Sequence, residues 1–555
     1  MNKKMLSLLL VLLMVVSLFT ACGTTKPTTE TPAAGETPKT TEPAQETSAK
    51  KLIYSLSSEP ETLDPTLNVY SKSSTVIQNL FRGLYKVGQE DKAVPALAEG
   101  YKLDETGTIY TFTLREGIKW SDGTPVTAAD FEYSWKRVLN PDVASGASWY
   151  LYYIKNARAY NSGEATAEEV GVKAIDDRTL EVTLENPTAY FLDLLCVTAY
   201  YPVRKDIVES TESWTQSAET LVSTGPYMVK EIKPKEKLIM VKNPNYIDTD
   251  KVKLDEIEIV YIESPEAELA AYMNGDVDVC DNVSMEALTQ YKGTDEFFAA
   301  NRIGTNYYDI NCSVKPFDDA RVRKALAYSI DRKVLVENII QGSYVPAYGF
   351  VPFGIPYTPQ EGKEYRDVVG NLFTEDVEAA KKLLADAGFP NGEGFPTLKL
   401  ITFNSQTNKD VAQAMQSMWQ QNLGITVEIV TFESKVYWDE LDKGDFNVAY
   451  DGWTGDYPDP MTNLDLFMLE NTADDNRWVG DGANKYDKLM FENLALKDNV
   501  QRYKNFEEAE KILMDEMPII PTYYLNDEYL AKPYVTGVMK SYIGHTLFEY
   551  ADINK

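Results

Sequence analysis

The spacing of apolar residues changes character several times along the chain. Met5 to Phe19 is an apolar run broken only by Ser7 and Ser17, and it follows the basic start Asn2-Lys3-Lys4. Such a run is shorter than the ~20 residues of a membrane-spanning helix and has the layout of a secretory signal. Residues 23–50 are rich in Thr, Pro and Glu and hold no Val, Leu, Ile, Met or aromatic residue. They cannot bury a core, and as a flexible tether they span roughly 30 Å. From Lys51 onward, alternation and helical spacing interleave. Strands are predicted at Lys51–Leu56, Tyr110–Leu114 and Leu180–Leu184, with a helix over Ser74–Tyr85. Pro396 to Glu433 reads as strand, helix, strand: TLKLITF, a helix over Asn408–Asn422 stopped at Gly424, then ITVEIVTF. Helices are also predicted over Asp376–Ala387, ahead of Gly388, and over Asn499–Met517, ahead of Pro518. The pattern is mixed α/β, with no internal repeat and no flexible linker after residue 50.

At 555 residues the chain has material for several lobes. With 54 basic against 85 acidic residues its formal charge is −31, which repels phosphate backbones and argues against a nucleic-acid partner. His545 is the only histidine, so a pair of histidine zinc ligands is excluded, and a Ser-His or Cys-His nucleophile would depend on that residue alone. Gly-x-Ser-x-Gly, the Gly-x-x-x-x-Gly-Lys-Ser/Thr phosphate loop and Cys-x-x-Cys are all missing. Asp248-Thr249-Asp250 opens like a calcium loop but has Lys253 where the sixth position needs Gly, so it reads as a solvated turn. Cys196, Cys280 and Cys312 stand in apolar or mixed stretches and read as buried thiols. The 36 tyrosines and 8 tryptophans suit a recognition cleft as well as a core.

Leu18-Phe19-Thr20-Ala21-Cys22-Gly23, directly after the apolar run, resembles the lipobox of bacterial lipoproteins. That implies a signal peptide over 1–22 and a diacylated Cys22 as mature N-terminus, anchoring the protein to the outer face of the bacterial cytoplasmic membrane.

A longer resemblance follows. Tyr110-Thr111-Phe112-Thr113-Leu114-Arg115-Glu116-Gly117-Ile118-Lys119-Trp120-Ser121-Asp122-Gly123-Thr124-Pro125-Val126-Thr127-Ala128, then Asp130-Phe131 and Tyr133-Ser134-Trp135, is similar to the signature of the large extracellular solute-binding proteins of ABC importers, the peptide-binding family. Thr224-Gly225-Pro226-Tyr227, Lys242-Asn243-Pro244-Asn245-Tyr246 and Asp319-Ala320-Arg321-Val322-Arg323-Lys324-Ala325-Leu326 follow in the family's order. Gly452-Trp453-Thr454-Gly455-Asp456-Tyr457 resembles the Gly-Trp-x-x-Asp-Tyr segment of its oligopeptide-binding members.

The resemblance implies a periplasmic-binding-protein-like fold of two hinged α/β lobes around a cleft. The first lobe would comprise 51–81, 205–304 and 526–555, the inserted subdomain 82–204, and the second lobe 305–525. It implies a monomer that carries oligopeptides to separate membrane and ATPase subunits, with no catalytic residue, no cofactor and no metal. Asp456 would pair with the peptide's α-amino group and Trp453 would wall the cleft beside Gly452; apart from the resemblance, Asp456 reads as a turn residue and Trp453 as core. Asn282, Tyr307, Tyr70 and Ser434 stand at ligand-contacting or cleft-lining positions of the family. Two departures matter. Tyr450 occupies the position of an Arg that receives the ligand's carboxylate in some members, so no sharp length preference is expected. The Tyr that helps hold the amine in some members corresponds to Ala147, with Trp149 near. A sugar, metal-chelate or pheromone carrier of the same fold is the nearest rival reading. An exported carboxylate-dependent hydrolase is the rival from another class.

Overall fold

The computed structural model describes residues 49–469 and 476–555, so the expected signal, Cys22 and nearly all of the tether lie outside the described residues. An eleven-stranded sheet forms the centre. Its middle is a pair of long antiparallel strands, Phe297–Ile310 and Ile519–Ala531. On one side follow Val448–Thr454, Leu398–Phe403 and Val427–Phe432. On the other follow Val279–Cys280, Lys51–Leu56, Glu256–Tyr261, Lys237–Lys242 and Tyr227–Lys233. Pairing between the two long strands slips between Asn301 and Thr305. Gly304 sits in that slip because a Cβ there would come within 2.8 Å of the Trp453 carbonyl oxygen.

The β-α-β unit forms as its pattern requires. Leu398–Phe403 and Val427–Phe432 pair in parallel, joined by the helix Gln406–Leu423. That helix starts at Ser405, whose hydroxyl accepts from the Asn408 N–H at 3.3 Å, and closes at Gly424. Val411, Met415, Trp419 and Leu423 recur at helical spacing and are buried. The helices Val377–Asp386 and Asn499–Glu516 also stand where they were expected.

A second, four-stranded antiparallel sheet runs Ala98–Leu103, Ile109–Leu114, Thr179–Thr183, Val172–Ala174. Beside it lies the helix Ala128–Leu139, capped reciprocally by Thr127 and Asp130, with Phe131 and Trp135 buried. The Trp135 indole donates to the Tyr200 carbonyl at 2.8 Å.

One expected element is corrected. The helix predicted over Ser74–Tyr85 runs Ser71–Leu80, and Tyr85–Val87 is a strand. Its end is set from far along the chain: the Gly225 N–H donates to the Leu80 carbonyl at 2.7 Å and the Thr224 hydroxyl accepts the Arg82 N–H at 2.9 Å. A Cβ on Gly225 would meet the Leu80 backbone at 2.7 Å.

The segments that carry the family resemblance therefore knit the fold. Asn243 donates to the Gly225 carbonyl at 2.9 Å, and the Tyr246 hydroxyl reaches Glu549 Oε1 at 2.9 Å. Glu549 is buried against Arg82 at 2.8 Å and Lys86 at 2.6 Å, which ties the C-terminal stretch to the segment that follows helix Ser71–Leu80. Burial pushes the Glu549 carboxyl up, but the two cations outweigh it and hold it at about 2. Asp248 of the discarded calcium loop is held by Arg115 at 2.9 Å. Cys196, Cys280 and Cys312 are free and buried, as read from the sequence.

Candidate ligand-binding site

Strand Val448–Thr454 carries the Gly-Trp-x-x-Asp-Tyr segment to the end of the sheet, and the chain then turns sharply. The Gly455 N–H is taken by the Ile303 carbonyl at 2.7 Å, and the Asp456 N–H by the Thr462 hydroxyl at 2.9 Å. Tyr457 is buried, with its ring stacked on Tyr190 at 4.3 Å between centroids and its hydroxyl 3.3 Å from that of Tyr153. With the backbone pinned on both sides, the Asp456 side chain opens onto a cavity of about 160 Å3. Tyr70, Tyr150, Arg302, Thr454 and His545 line the same cavity.

Each polar wall group has a physical state set by its neighbours. The Tyr150 hydroxyl donates to Asp456 Oδ1 at 2.9 Å. Burial pushes the Asp456 carboxyl up to about 7, against the pull of that hydrogen bond. His545 Nδ1 lies 2.9 Å from Gln78 Nε2. Burial first, then the charges of Arg302 and Lys540, push the imidazole down to about 3, so it is neutral at ordinary pH. Arg302 donates from Nε to the Thr454 hydroxyl at 2.9 Å and from Nη1 to Asp527 at 3.4 Å. Chemically, this is an enclosure in which a carboxylate can receive a cationic N–H group.

Of the expected residues, Asp456 and Tyr70 line the cavity. Trp453 is half-buried on the adjoining strand, and its indole N–H has no hydrogen-bond partner among the described residues. Gly452 is exposed and stands opposite Asn306 across the ladder. Tyr307 is buried edge-on to Phe350 at 5.1 Å, and its hydroxyl donates to Asp451 at 3.0 Å. Tyr450 packs against Phe403 at 5.4 Å and Tyr308 at 5.7 Å. Asn282, whose N–H is held by Glu268 at 3.2 Å, and the exposed Ser434 at the start of helix Ser434–Lys443 stand outside the cavity lining.

Ala147 is fully buried, and a tyrosine three residues further on, Tyr150, reaches Asp456. Ser148–Leu151 is a 3-10 turn with the Tyr150 N–H bonded to the Ala147 carbonyl at 3.2 Å. Residues three apart share a face in such a turn, so a three-residue offset returns a side chain to the same side. Trp149 stacks on Tyr150 at 3.7 Å instead of facing Asp456 itself. Arg302 and Thr454 were also missed. The one available signal for Arg302 was a lone basic residue within the strand sequence FFAANRIGTNYYDI.

Residues 92–475 match the model of the family described as bacterial extracellular solute-binding proteins, family 5 middle. The chain belongs to family 5 of these solute-binding proteins. It is 33% identical to the oligopeptide-binding protein OppA of Bacillus subtilis, over 99% of each chain. It is 32% identical to the probable deoxycholate-binding periplasmic protein YgiS of Escherichia coli, over 87% of this chain and 90% of that one. Among solved structures, OppA of Listeria monocytogenes bound to peptide is 29% identical with a TM-score of 0.76, covering 92% of this chain and 100% of the other. A family 5 member is a binding protein and not an enzyme. Its mixed α/β fold is that of the periplasmic binding proteins. No helix among the described residues is long and apolar enough to cross a membrane.

Proposed function

We propose that this protein is a surface-anchored lipoprotein that captures oligopeptides and hands them to an ABC importer whose membrane and ATPase subunits are separate chains. The observation that carries the reading is Asp456, a carboxylate fixed by Tyr150 in a polar cavity, at the Asp of the Gly-Trp-x-x-Asp-Tyr segment. A peptide's α-ammonium group supplies the charge-assisted N–H donors that such a carboxylate lacks. The relatives named for oligopeptides support the cargo class.

The lobes are those given above: 51–81 with 205–304 and 526–555, the insertion 82–204, and 305–525. The slip between Asn301 and Thr305 supports a hinge where the chain passes between lobes. The Tyr150–Asp456 bond and the Tyr190–Tyr457 stack join the insertion to the second lobe. A ligand contacting both would stabilise the closed form by its differential binding. Mass spectrometry of the natively purified protein tests the cargo: a mixture of short peptides supports the reading, and a single bile acid or sugar would overturn it. The second reading, another solute, draws on the relative named for deoxycholate, but an acidic steroid would meet the Asp456 carboxylate unfavourably.

Two predictions arise here. With its folded-state pKa raised to about 7, Asp456 takes up a proton well above its unfolded range. Its burial therefore costs folding stability increasingly as pH rises from about 4 to 7, and an ammonium ligand needs the deprotonated form. Arg302 and His545 on the same cavity, and Asp465, whose own carboxyl burial and then Asp456 push up to about 8, do not reverse that sign. Affinity for free-amine peptides should peak between about pH 7 and 8, falling on the order of tenfold by about pH 6 as Asp456 takes up a proton and falling again above about pH 8 as the peptide's α-ammonium group loses one. Calorimetry giving one affinity across that range would exclude Asp456 as the anchor. The second prediction concerns Cys22, where Cys22→Ser should move the protein from the detergent phase to the aqueous phase or leave an uncleaved precursor. Unchanged partitioning of a Cys22→Ser protein whose signal has been cleaved would remove the lipid anchor.

A further inference from the structure

The cavity that opens on Asp456 also presents one guanidinium. Arg302 stands where the pairing of Phe297–Ile310 with Ile519–Ala531 slips, about one-third exposed, its side chain 32% accessible. Arginine carries five N–H donors in a rigid fork. The bonds to Thr454 and Asp527 use Nε and Nη1, and Nη2 makes no hydrogen bond among the described residues. His545 contributes no second positive charge, since burial holds it neutral. Asn68, Ser74, Gln78 and Thr198 complete a neutral polar wall. The cavity thus shows a ligand one anion and one cation. Its volume of about 160 Å3 is close to the ~150 Å3 that accepts a benzene molecule, room for a ligand's first residue and not for a whole peptide.

We infer that Arg302 makes this cavity selective for ligands that carry a carboxylate within one residue of their α-ammonium group. The inference rests on Asp456 as the amine anchor. With the ammonium fixed there, a carboxylate on the same residue or on the one after it can take the Nη2 donors, sharing the guanidinium with Asp527. A Lys or Arg side chain would meet like charge instead. Two sources offer this chemistry: the side chain of an N-terminal Asp or Glu, and the α-carboxylate of a dipeptide.

The test is calorimetry on the full chain with Glu-Ala-Ala-Ala, Gln-Ala-Ala-Ala, Lys-Ala-Ala-Ala and N-acetyl-Gln-Ala-Ala-Ala, and with Ala-Ala as acid and amide. On the wild type the Glu peptide should bind roughly fivefold to thirtyfold tighter than the Gln peptide, and the Lys peptide weaker than both. Arg302→Gln should bring the Glu-to-Gln ratio close to one, whatever the absolute affinities, and Arg302→Lys should keep it above one. If the dipeptide is the source, amidation of Ala-Ala should cost a similar factor in the wild type and little in Arg302→Gln. Equal binding of the Glu and Gln peptides together with indifference to amidation overturns the role of Arg302 while leaving the anchor intact. Equal binding of the free and acetylated Gln peptides overturns the anchor itself, and the inference with it.

Discussion

Asp456→Ala should weaken binding of free-amine peptides by about 2 to 5 kcal/mol, on the order of thirtyfold to several thousandfold. The substitution removes the acceptor at the floor of the cavity and leaves the ligand's ammonium enclosed with the Tyr150 hydroxyl, a much weaker partner, and with the Arg302 cation nearby. Most of the loss is the desolvation of an unpaired charge, so it should show mainly in the dissociation rate. N-acetylation of the peptide removes the same charge from the other side. Acetylated peptides should therefore bind the wild type as poorly as free ones bind Asp456→Ala, and acetylation should cost the variant little further. Calorimetry of this two-by-two set measures the coupling directly. A wild type that binds free and acetylated peptides alike would take Asp456 out of the site.

What was legible in the sequence was local. Gly424 and Ser405 bound their helix from within a few residues, so that helix was placed to within two residues. The start of Ser71–Leu80 was not, because Tyr70 provides no side-chain cap, and the order there comes from Asn68, which accepts the Tyr70 N–H at 2.9 Å and donates to Ser74 at 2.7 Å. Its end depends on Gly225, a partner no local window contains. The site divides the same way. Asp456 was legible because one contiguous segment bears it, whereas the cavity is assembled from residues near 70, 150, 302, 455 and 545. Tyr150 was hidden by a 3-10 turn and Arg302 by the slip in a strand, both of which redirect side chains without leaving a mark in the polar-apolar pattern. His545 was noticed only as a rarity, and it serves as a neutral wall.

Glu510→Ala should be the most damaging single change to the fold, at about 3 to 5 kcal/mol, because it strands a buried cation. Glu510 is fully buried in helix Asn499–Glu516 and accepts the N–H groups of Phe350 at 2.7 Å and Val351 at 2.9 Å. It also takes Nη2 of Arg366, itself buried, whose other nitrogens bond the Val351 and Gly370 carbonyls at 2.8 and 2.7 Å. Burial works against the Arg366 charge, and Glu510 more than offsets it. The effect reaches the site through packing: Phe350 lies edge-on to Tyr307, and its carbonyl takes the Thr305 hydroxyl at 2.6 Å beside the slip in the long strands. Peptide affinity should therefore fall along with denaturant resistance. Glu510→Gln keeps an acceptor for the two backbone N–H groups and should lose less than Glu510→Ala. Removing both charges, as Glu510→Leu with Arg366→Met, should recover part of the loss, since no uncompensated guanidinium remains in the core. Urea unfolding of the four proteins decides between the two origins of the cost. A double variant less stable than Glu510→Ala would mean that Arg366 still stabilises the fold without its partner, through its bonds to the Val351 and Gly370 carbonyls, and that a stranded cation is not the origin of the cost.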